Sequence, residues 1–260
     1  MDLGLRGCVA IVGGASSGMG RACALALARE GASVALFARR AELLDEAAAE
    51  IEALGSGASA LAVTGDSSRP ADLEALVART LERFGKLDIV VNNSGGPPAG
   101  SFEDFDDDAW RAAWDLTLMS ALRLTRLALP ELRRSGRGRV VNITSSAVKE
   151  PSEGLLLSNT YRPGVTGWAK TLSQAEGPHG VTVNSIAPGY IDTERMKTLY
   201  AGGSDPDGDR RRDEALIPAR RFGDPAEIAD LCAFLCSTRA AYLNGITILV
   251  DGGLAKGLLS

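Results

Sequence analysis

The sequence predicts an α/β fold, a doubly wound parallel sheet of about seven strands with helices on both faces. Three observations predict it. Short β-branched runs alternate with Ala/Leu/Glu-rich stretches of helical period. The connections between them are short and rich in glycine. The strand runs are apolar on both faces, as a sheet covered by helices on each side requires. No linker interrupts the pattern, so residues 1–260 are read as one domain.

The elements follow in order. CVAIVGG is a strand, and GRACALALAREG is an amphipathic helix stopped by Gly31. SVALFARR is a strand, and AELLDEAAAEIEALG is a helix stopped by Gly55. SALAVTGD and PADLEALVARTLERFG form the third strand–helix pair, and LDIVVNNSG is the fourth strand. WRAAWDLTLMSALRLTRLALPELRRSG reads as one long helix and RVVNITSS as the fifth strand. A helix is expected over about 160–177, with VTVNSIAPG after it as a strand. PAEIADLCAFLCS is a helix, and ITILVDGG closes the series. The polar stretch 192–220, with AGGSDPDGDRRRDE inside it, is expected to be an irregular, mobile lid beside the substrate.

Composition narrows the function. The net charge is −5, so no global basic field points to nucleic acid. No apolar run approaches the roughly 18 residues that span a bilayer. The start, MDLGLRGCVAIVGG, reads as a strand entering a glycine turn, not as a signal peptide. Cys232 and Cys236 are four apart in an apolar helix and should share a buried face, while Cys8 and Cys23 lie elsewhere. With one histidine, His179, and four cysteines, no metal site is expected, and the chain is read as a reduced, cytoplasmic protein.

VAIVGGASSGMGRACALALA is strand, glycine turn, helix, with Gly14, Gly18 and Gly20 spaced G-x3-G-x-G. Glycine permits positive φ in the turn and lets backbone amides approach a pyrophosphate. Gly20 lets helix and strand pack closely. Placed after the first strand and opening the first helix, the motif marks a Rossmann-type dinucleotide site. The second strand ends in FARR, with Arg39 and Arg40 where an NAD-selective site places a carboxylate. A guanidinium suits a 2′-phosphate, so NADP(H) is expected ahead of NAD(H).

With these residues in place, the chain resembles the short-chain dehydrogenase/reductase family over essentially its full length. GGASSGMG at 13–20 carries the resemblance, with Gly13 at a usual Thr, as do Asp66, NNSG at 92–95 and NITSS at 142–146. VNSIAPG at 183–189 and LVDGG at 249–253 complete it, and the branch of β-ketoacyl carrier-protein reductases looks most similar. The resemblance implies a cofactor site of Gly14, Ser16, Ser17, Gly18, Met19, Gly20, Arg39, Arg40, Asp66, Ser67, Asn92, Ser94, Gly95, Arg162, Pro188, Gly189, Ile191 and Thr193. In it, Asp66 would contact the adenine, Asn92 would line the cleft, and Ile191 with Thr193 would touch the nicotinamide carboxamide.

The family's chemistry rests on an Asn, a Ser, a Tyr and a Lys. Ser145 matches the Ser. Thirteen residues on, at the Tyr position, stands Ser158, and four beyond that, at the Lys position, stands Arg162. Thr117, in WDLTL, stands at the Asn position. A serine hydroxyl is a far weaker acid than a phenol of pKa near 10. Ser158 is expected to donate a hydrogen bond and not to shuttle a proton unaided. Arg162 keeps a positive charge for a ribose hydroxyl or a substrate carboxylate and is not a proton relay.

Tyr161 lies three residues past Ser158, about 60° around a helix, and would not superpose on the missing phenol. If Pro163 sits in the first helical turn, residues 155–161 become loop and Tyr161 could swing inward, so it is kept as a catalytic candidate against a packing role. Lys170 lies too far along the helix to replace a lysine at 162. Glu150 and Glu153, in the loop between the two serines, are alternative acid/base groups. His179 reads as a surface turn residue, and Arg210, Arg211 and Arg212 as a solvated charge cluster among Asp207, Asp209 and Asp213. Trp110, Trp114 and Trp168 fall on helices and read as subunit-interface packing.

The expected function is an NADP(H)-dependent oxidoreductase acting on a carbonyl or alcohol with a non-standard catalytic set. Two alternatives stand beside it: a non-redox dehydratase, isomerase or lyase on the same scaffold, and a cofactor-binding protein without catalysis. The partners expected are a small-molecule substrate, no nucleic acid and no membrane. The resemblance implies a homotetramer ahead of a dimer, with the long helix 109–134 and the Arg162 helix at one interface.

Overall fold

The computed structural model describes residues 1–201 and 205–257. The chain runs β1 (Val9–Gly13), α1 (Gly18–Arg29), β2 (Ser33–Ala38), α2 (Ala41–Ala53), β3 (Ala60–Thr64), α3 (Pro70–Phe84) and β4 (Ile89–Asn92). It continues with α4 (Asp107–Ala113), α5 (Ser120–Ser135), β5 (Arg139–Ile143), α6 (Leu156–Glu176), β6 (Thr182–Pro188), α7 (Glu194–Ala201), α8 (Pro206–Leu216), α9 (Pro225–Cys236) and β7 (Thr247–Val250).

The seven strands form one parallel sheet in the order β3-β2-β1-β4-β5-β6-β7. In β1, Ala10 and Val12 face α1, α2 and α9, while Val9 and Ile11 face α3, α5 and α6. This is the two-residue alternation of a strand read against two helical layers. It is why β1 is apolar throughout and fully buried.

Local chemistry explains the helix ends. Pro70 starts α3 and Gly85 ends it in the left-handed region at φ 76°. Asp224 and Glu227 form a reciprocal cap on α9, with Pro225 at its first position. Small residues let α9 lie close on α1, and Cys23, Cys232 and Cys236 are all fully buried there. The Cys232 thiol bonds to Cys23 and Cys236, which with burial holds its pKa well above the usual thiol range.

Three sequence expectations change. The long helix is divided, because Trp114–Met119 forms a π-helical turn between α4 and α5. The 192–220 stretch is largely helical, forming α7 and α8, where an irregular lid was expected. Residues 202–204, part of that expectation, lie outside the described residues. Finally, α6 starts at Leu156 and carries Pro163 in its interior. The late start that would have freed Tyr161 does not occur.

Candidate active site

The strand order reverses direction between β1 and β4, and ligands of such sheets bind beyond the strand carboxyl ends at this point. A solvent-open cleft lies there, lined by Gly13 of β1, Asn92 of β4 and Ile143 of β5.

The glycine turn forms one wall. Gly14 and Gly18 have φ of +59° and +55°. A Cβ on Gly20 would lie 2.3 Å from the Gly14 carbonyl oxygen, and one on Gly13 would lie 2.5 Å from that of Asn93. Gly13 therefore does what the family's usual Thr could not do here, letting β1 close on the NNSG segment. Asn93 locks the contact by donating from Nδ2 to the Gly13 carbonyl at 3.1 Å.

The turn fits a phosphate. Ser17 precedes α1 but makes no side-chain cap, and the first turn holds no acidic residue. The helix thus presents open amides and its positive end to the cleft side of the turn. Arg40 folds over the same turn, its Nη2 donating to Ser17 Oγ at 2.6 Å and to Ser16 Oγ at 3.2 Å. Asp66 follows β3. Its carboxyl accepts from the Ser68 amide and hydroxyl, and these bonds with the Arg39 charge hold it below the usual carboxylate range. Met19 turns its side chain toward the core, leaving its backbone to the turn.

The cleft floor is polar. Asn92 donates from Nδ2 to Thr125 Oγ1 and to Asn142 Oδ1, both at 2.8 Å. Asn92 Oδ1 and Thr117 Oγ1 are buried without a protein partner among the described residues. Thr117 sits in the π turn, and such turns open a helix's own bonding ladder. Ser67 and Ser94 line the cleft, with Gly95 exposed beside them. Pro188 ends β6, Gly189 bonds to Val250, and Ile191 is buried against Gly223. Thr193 packs its methyl group toward Gly18.

Ser158 and Arg162 are joined, and Arg162 reaches the backbone just before Ser145. Ser145 leaves β5 and caps the turn after it, accepting from the Ala147 amide at 3.2 Å. Arg162 donates from Nε to Ser158 Oγ at 3.0 Å, and from Nη1 to the carbonyls of Thr144 at 2.9 Å and Ile143 at 3.3 Å. Its Nη2 has no protein partner among the described residues. Burial first, and the Arg195 charge second, push the Arg162 pKa down to about 10. It therefore remains a cation at neutral pH.

Tyr161 is not with them. Its hydroxyl donates to the Trp110 carbonyl at 3.1 Å, and its ring meets Trp110 and Trp114 edge-on. Burial raises its pKa. The catalytic expectation for Tyr161 gives way to packing, because α6 begins too early for the ring to reach inward. Glu150 is also engaged, its Oε1 accepting from the amides of Lys256 and Gly257.

Sequence reasoning missed Arg195. It lies on α7, donates to the Pro97 carbonyl at 2.9 Å, and rests on Gly96. Its only sequence signal is a cation two residues after Thr193, inside a segment read as irregular. Asn142 and Thr125, which orient Asn92, were also unassigned.

Comparison with known proteins bears on the family and the fold. The family model described as enoyl-(acyl carrier protein) reductase matches residues 14–255. The Aspergillus oryzae protein named short chain dehydrogenase/reductase astE is 34% identical over 254 residues, covering 96% of each chain. The 3-oxoacyl-[acyl-carrier-protein] reductase FabG of Vibrio cholerae is 34% identical over 254 residues, covering 97% of this chain and 99% of its own. Among solved structures, L-sorbose reductase from Gluconobacter frateurii, complexed with NADPH and L-sorbose, matches with a TM-score of 0.94 at 33% identity. That match covers 99% of this chain and 100% of the reductase. Sequence, fold and cleft together establish that this chain belongs to the short-chain dehydrogenase/reductase family.

Proposed function

We propose that the chain is an NADP(H)-dependent oxidoreductase interconverting a carbonyl and an alcohol, with Ser145, Ser158 and Arg162 as its catalytic set. The observation that carries this is the 3.0 Å bond from Arg162 Nε to Ser158 Oγ. The guanidinium occupies a lone pair of the hydroxyl, so the Ser158 proton is left to point at a substrate oxygen. A charge-assisted bond of this kind also makes the hydroxyl a stronger donor. Ser145, whose oxygen likewise accepts from a backbone amide, supplies a second free proton. Two donors on one oxygen stabilise the negative charge that builds there during reduction.

The reduced nicotinamide, when bound, supplies the hydride. Gly14, Ser16, Ser17, Gly18, Met19 and Gly20 would hold the phosphates, and Arg39 and Arg40 the 2′-phosphate. Asp66 and Ser67 would serve the adenine side. Asn92, Ser94, Gly95, Pro188, Gly189, Ile191 and Thr193 would line the nicotinamide side. Arg162 Nη2 is free for a ribose hydroxyl or a substrate oxygen. Water in the open cleft, beside the unpartnered Thr117 hydroxyl, replaces the proton taken up at the substrate oxygen.

Calorimetric titration of NADPH and NADH into wild type and R39E/R40E tests the cofactor half. A carbonyl panel followed at 340 nm then tests the reaction. Tight NADPH binding lost in the double variant, with NADPH consumed in step with product, is the expected result. No binding of either nucleotide would refute the reading. One observation favours a non-redox reaction instead: Tyr161 spends its hydroxyl on Trp110, so this phenol is not available for proton transfer. Product formed with no change at 340 nm would decide for that alternative.

The proposal extends to one domain with α7 and α8 as a substrate-side lid, and to a homotetramer ahead of a dimer. Trp114 is 43% exposed at the α4–α5 junction, and the edge strand β7 is only half-buried, which supports covering by other copies. Light scattering showing a monomer would overturn the assembly. Four free cysteines suit a cytoplasmic location, and no helix among the described residues is long and apolar enough to cross a membrane.

A further inference from the structure

Several arginines are neutralised by carboxylates, while Arg39 and Arg40 at the glycine turn have no ion pair among the described residues. Arg123 pairs with Asp115, Arg210 with Asp192 and Glu214, and Arg221 with Glu227. Arg162 and Arg195 are not. Among the described residues neither has a carboxylate within ion-pair distance, and their only partners are carbonyl oxygens and the Ser158 hydroxyl. Instead, the Arg195 charge acts on Arg162 and adds to the cost of holding it as a cation. Burial also lowers the Arg195 pKa, with no acidic group offsetting it.

The position of Arg195 is built. Its guanidinium reaches from α7 to the loop after β4, where Nη2 meets the Pro97 carbonyl. It lies flat on Gly96, where a Cβ would come within 2.5 Å of Nη2 and 2.7 Å of Cζ. Glycine at 96 is what lets the charge sit there. That loop continues directly from Ser94, which lines the cleft with Arg162. A partly buried guanidinium without an acidic partner is costly unless an anion joins it. Planar forks of this kind match a carboxylate.

We propose that Arg195, with Arg162 beside it, binds a carboxylate carried by the substrate, so that the substrate is an oxo acid or hydroxy acid and not a neutral ketone. This rests on the reductase reading for the reaction, but not for the binding. The cofactor diphosphate is the other anion that could reach Arg195. The open amides of α1 already provide for the cofactor diphosphate, so the substrate is favoured.

The test separates these sources. Oxamate, an unreactive carboxylate, is titrated calorimetrically into the wild-type NADPH complex and into the R195M complex. NADPH affinity is measured in both proteins, with R195K as the conservative rescue. Circular dichroism confirms that each variant is folded. Turnover of 2-oxobutanoate and acetoacetate is compared with that of their methyl esters. The expected results are oxamate binding weakened roughly tenfold or more in R195M, partial recovery in R195K, and an acid-over-ester preference that collapses in R195M. No oxamate binding to wild type overturns the proposal. So does a loss in R195M confined to NADPH affinity, which would assign Arg195 to the diphosphate. Oxamate binding that depends on Arg195, with no substrate reduced, would uphold the carboxylate site while removing the reductase reading.

Discussion

Arg162 and Ser158 stand one helical turn apart on α6 and are joined by a 3.0 Å hydrogen bond from guanidinium to hydroxyl. The two residues read as standing at the family's Tyr and Lys positions are therefore joined directly. The coupling runs from a fixed cation to a donor hydroxyl, so the pair is suited to polarising an oxygen more than to titrating.

From this pairing, R162A is expected to lower kcat by roughly 10²- to 10³-fold, the cost of an oxyanion donor system. S158A should lose roughly tenfold, because Ser145 still donates. R162K should fall between wild type and R162A. Steady-state kinetics on one confirmed substrate checks this, and unchanged kcat in R162A would remove the pair from the mechanism.

The pH dependence follows from the Arg162 cation, whose pKa burial and Arg195 push down to about 10. Turnover should be flat through neutrality and fall as pH rises through that value, because the charge supporting Ser158 is lost. For stability the sign is opposite: a buried cation with a depressed pKa costs folding free energy while charged, and that cost lifts above about 10. A kcat–pH profile that falls well below this range would contradict the assignment.

Arg39 and Arg40 are expected to set cofactor choice. R39E/R40E should weaken NADPH by roughly 100-fold through lost charge-assisted bonds, and leave NADH affinity nearly unchanged. Equal losses for both nucleotides would mean that the arginines hold the turn instead of reading a phosphate.

Gly20→Ala should destabilise the fold as well as the site. The added Cβ would lie 2.3 Å from a backbone oxygen that cannot rotate away, and overpacking of this kind costs about 1–3 kcal/mol. Thermal denaturation should show a lowered Tm, with nucleotide binding lost. A variant of unchanged Tm and affinity would show that the turn is looser than described.

Glu176 is buried at the end of α6 and accepts two bonds from Arg133, which hold its carboxyl below the usual range. A carboxylate with a depressed folded pKa adds stability above its unfolded pKa of about 4.3, and loses it as pH falls through the folded value. E176Q should therefore be less stable at neutral pH and show a shallower loss in acid. Identical acid denaturation curves for the two proteins would refute the pairing's contribution.

The glycine-turn unit was readable because its signals are local. Positive-φ glycines, an uncapped helix start and two arginines closing a strand lie within 28 residues of sequence, from Gly13 to Arg40. Their meaning depends on one strand–turn–helix unit, and the parallel sheet between two helical layers was legible from strand–helix alternation and strands apolar on both faces. The charge cluster at Arg210 was legible as solvated pairing, since its acidic partners are near in sequence, apart from Asp192.

The substrate half was not readable in the same way. Whether Tyr161 faces the cleft depends on where α6 begins, and its Trp110 and Trp114 contacts come from another helix. The π turn at Thr117 adds a residue to a helix whose apolar periodicity looks continuous. Arg195 gains its place from Gly96, 99 positions earlier in the chain. Sequence thus carried the fold class and the strand–turn–helix unit of the glycine turn, because backbone conformation and periodicity are short-range properties. Folding in three dimensions settled which side chains share the cleft and which charges stay unneutralised, because helix phase and ion pairing are set by packing between distant segments.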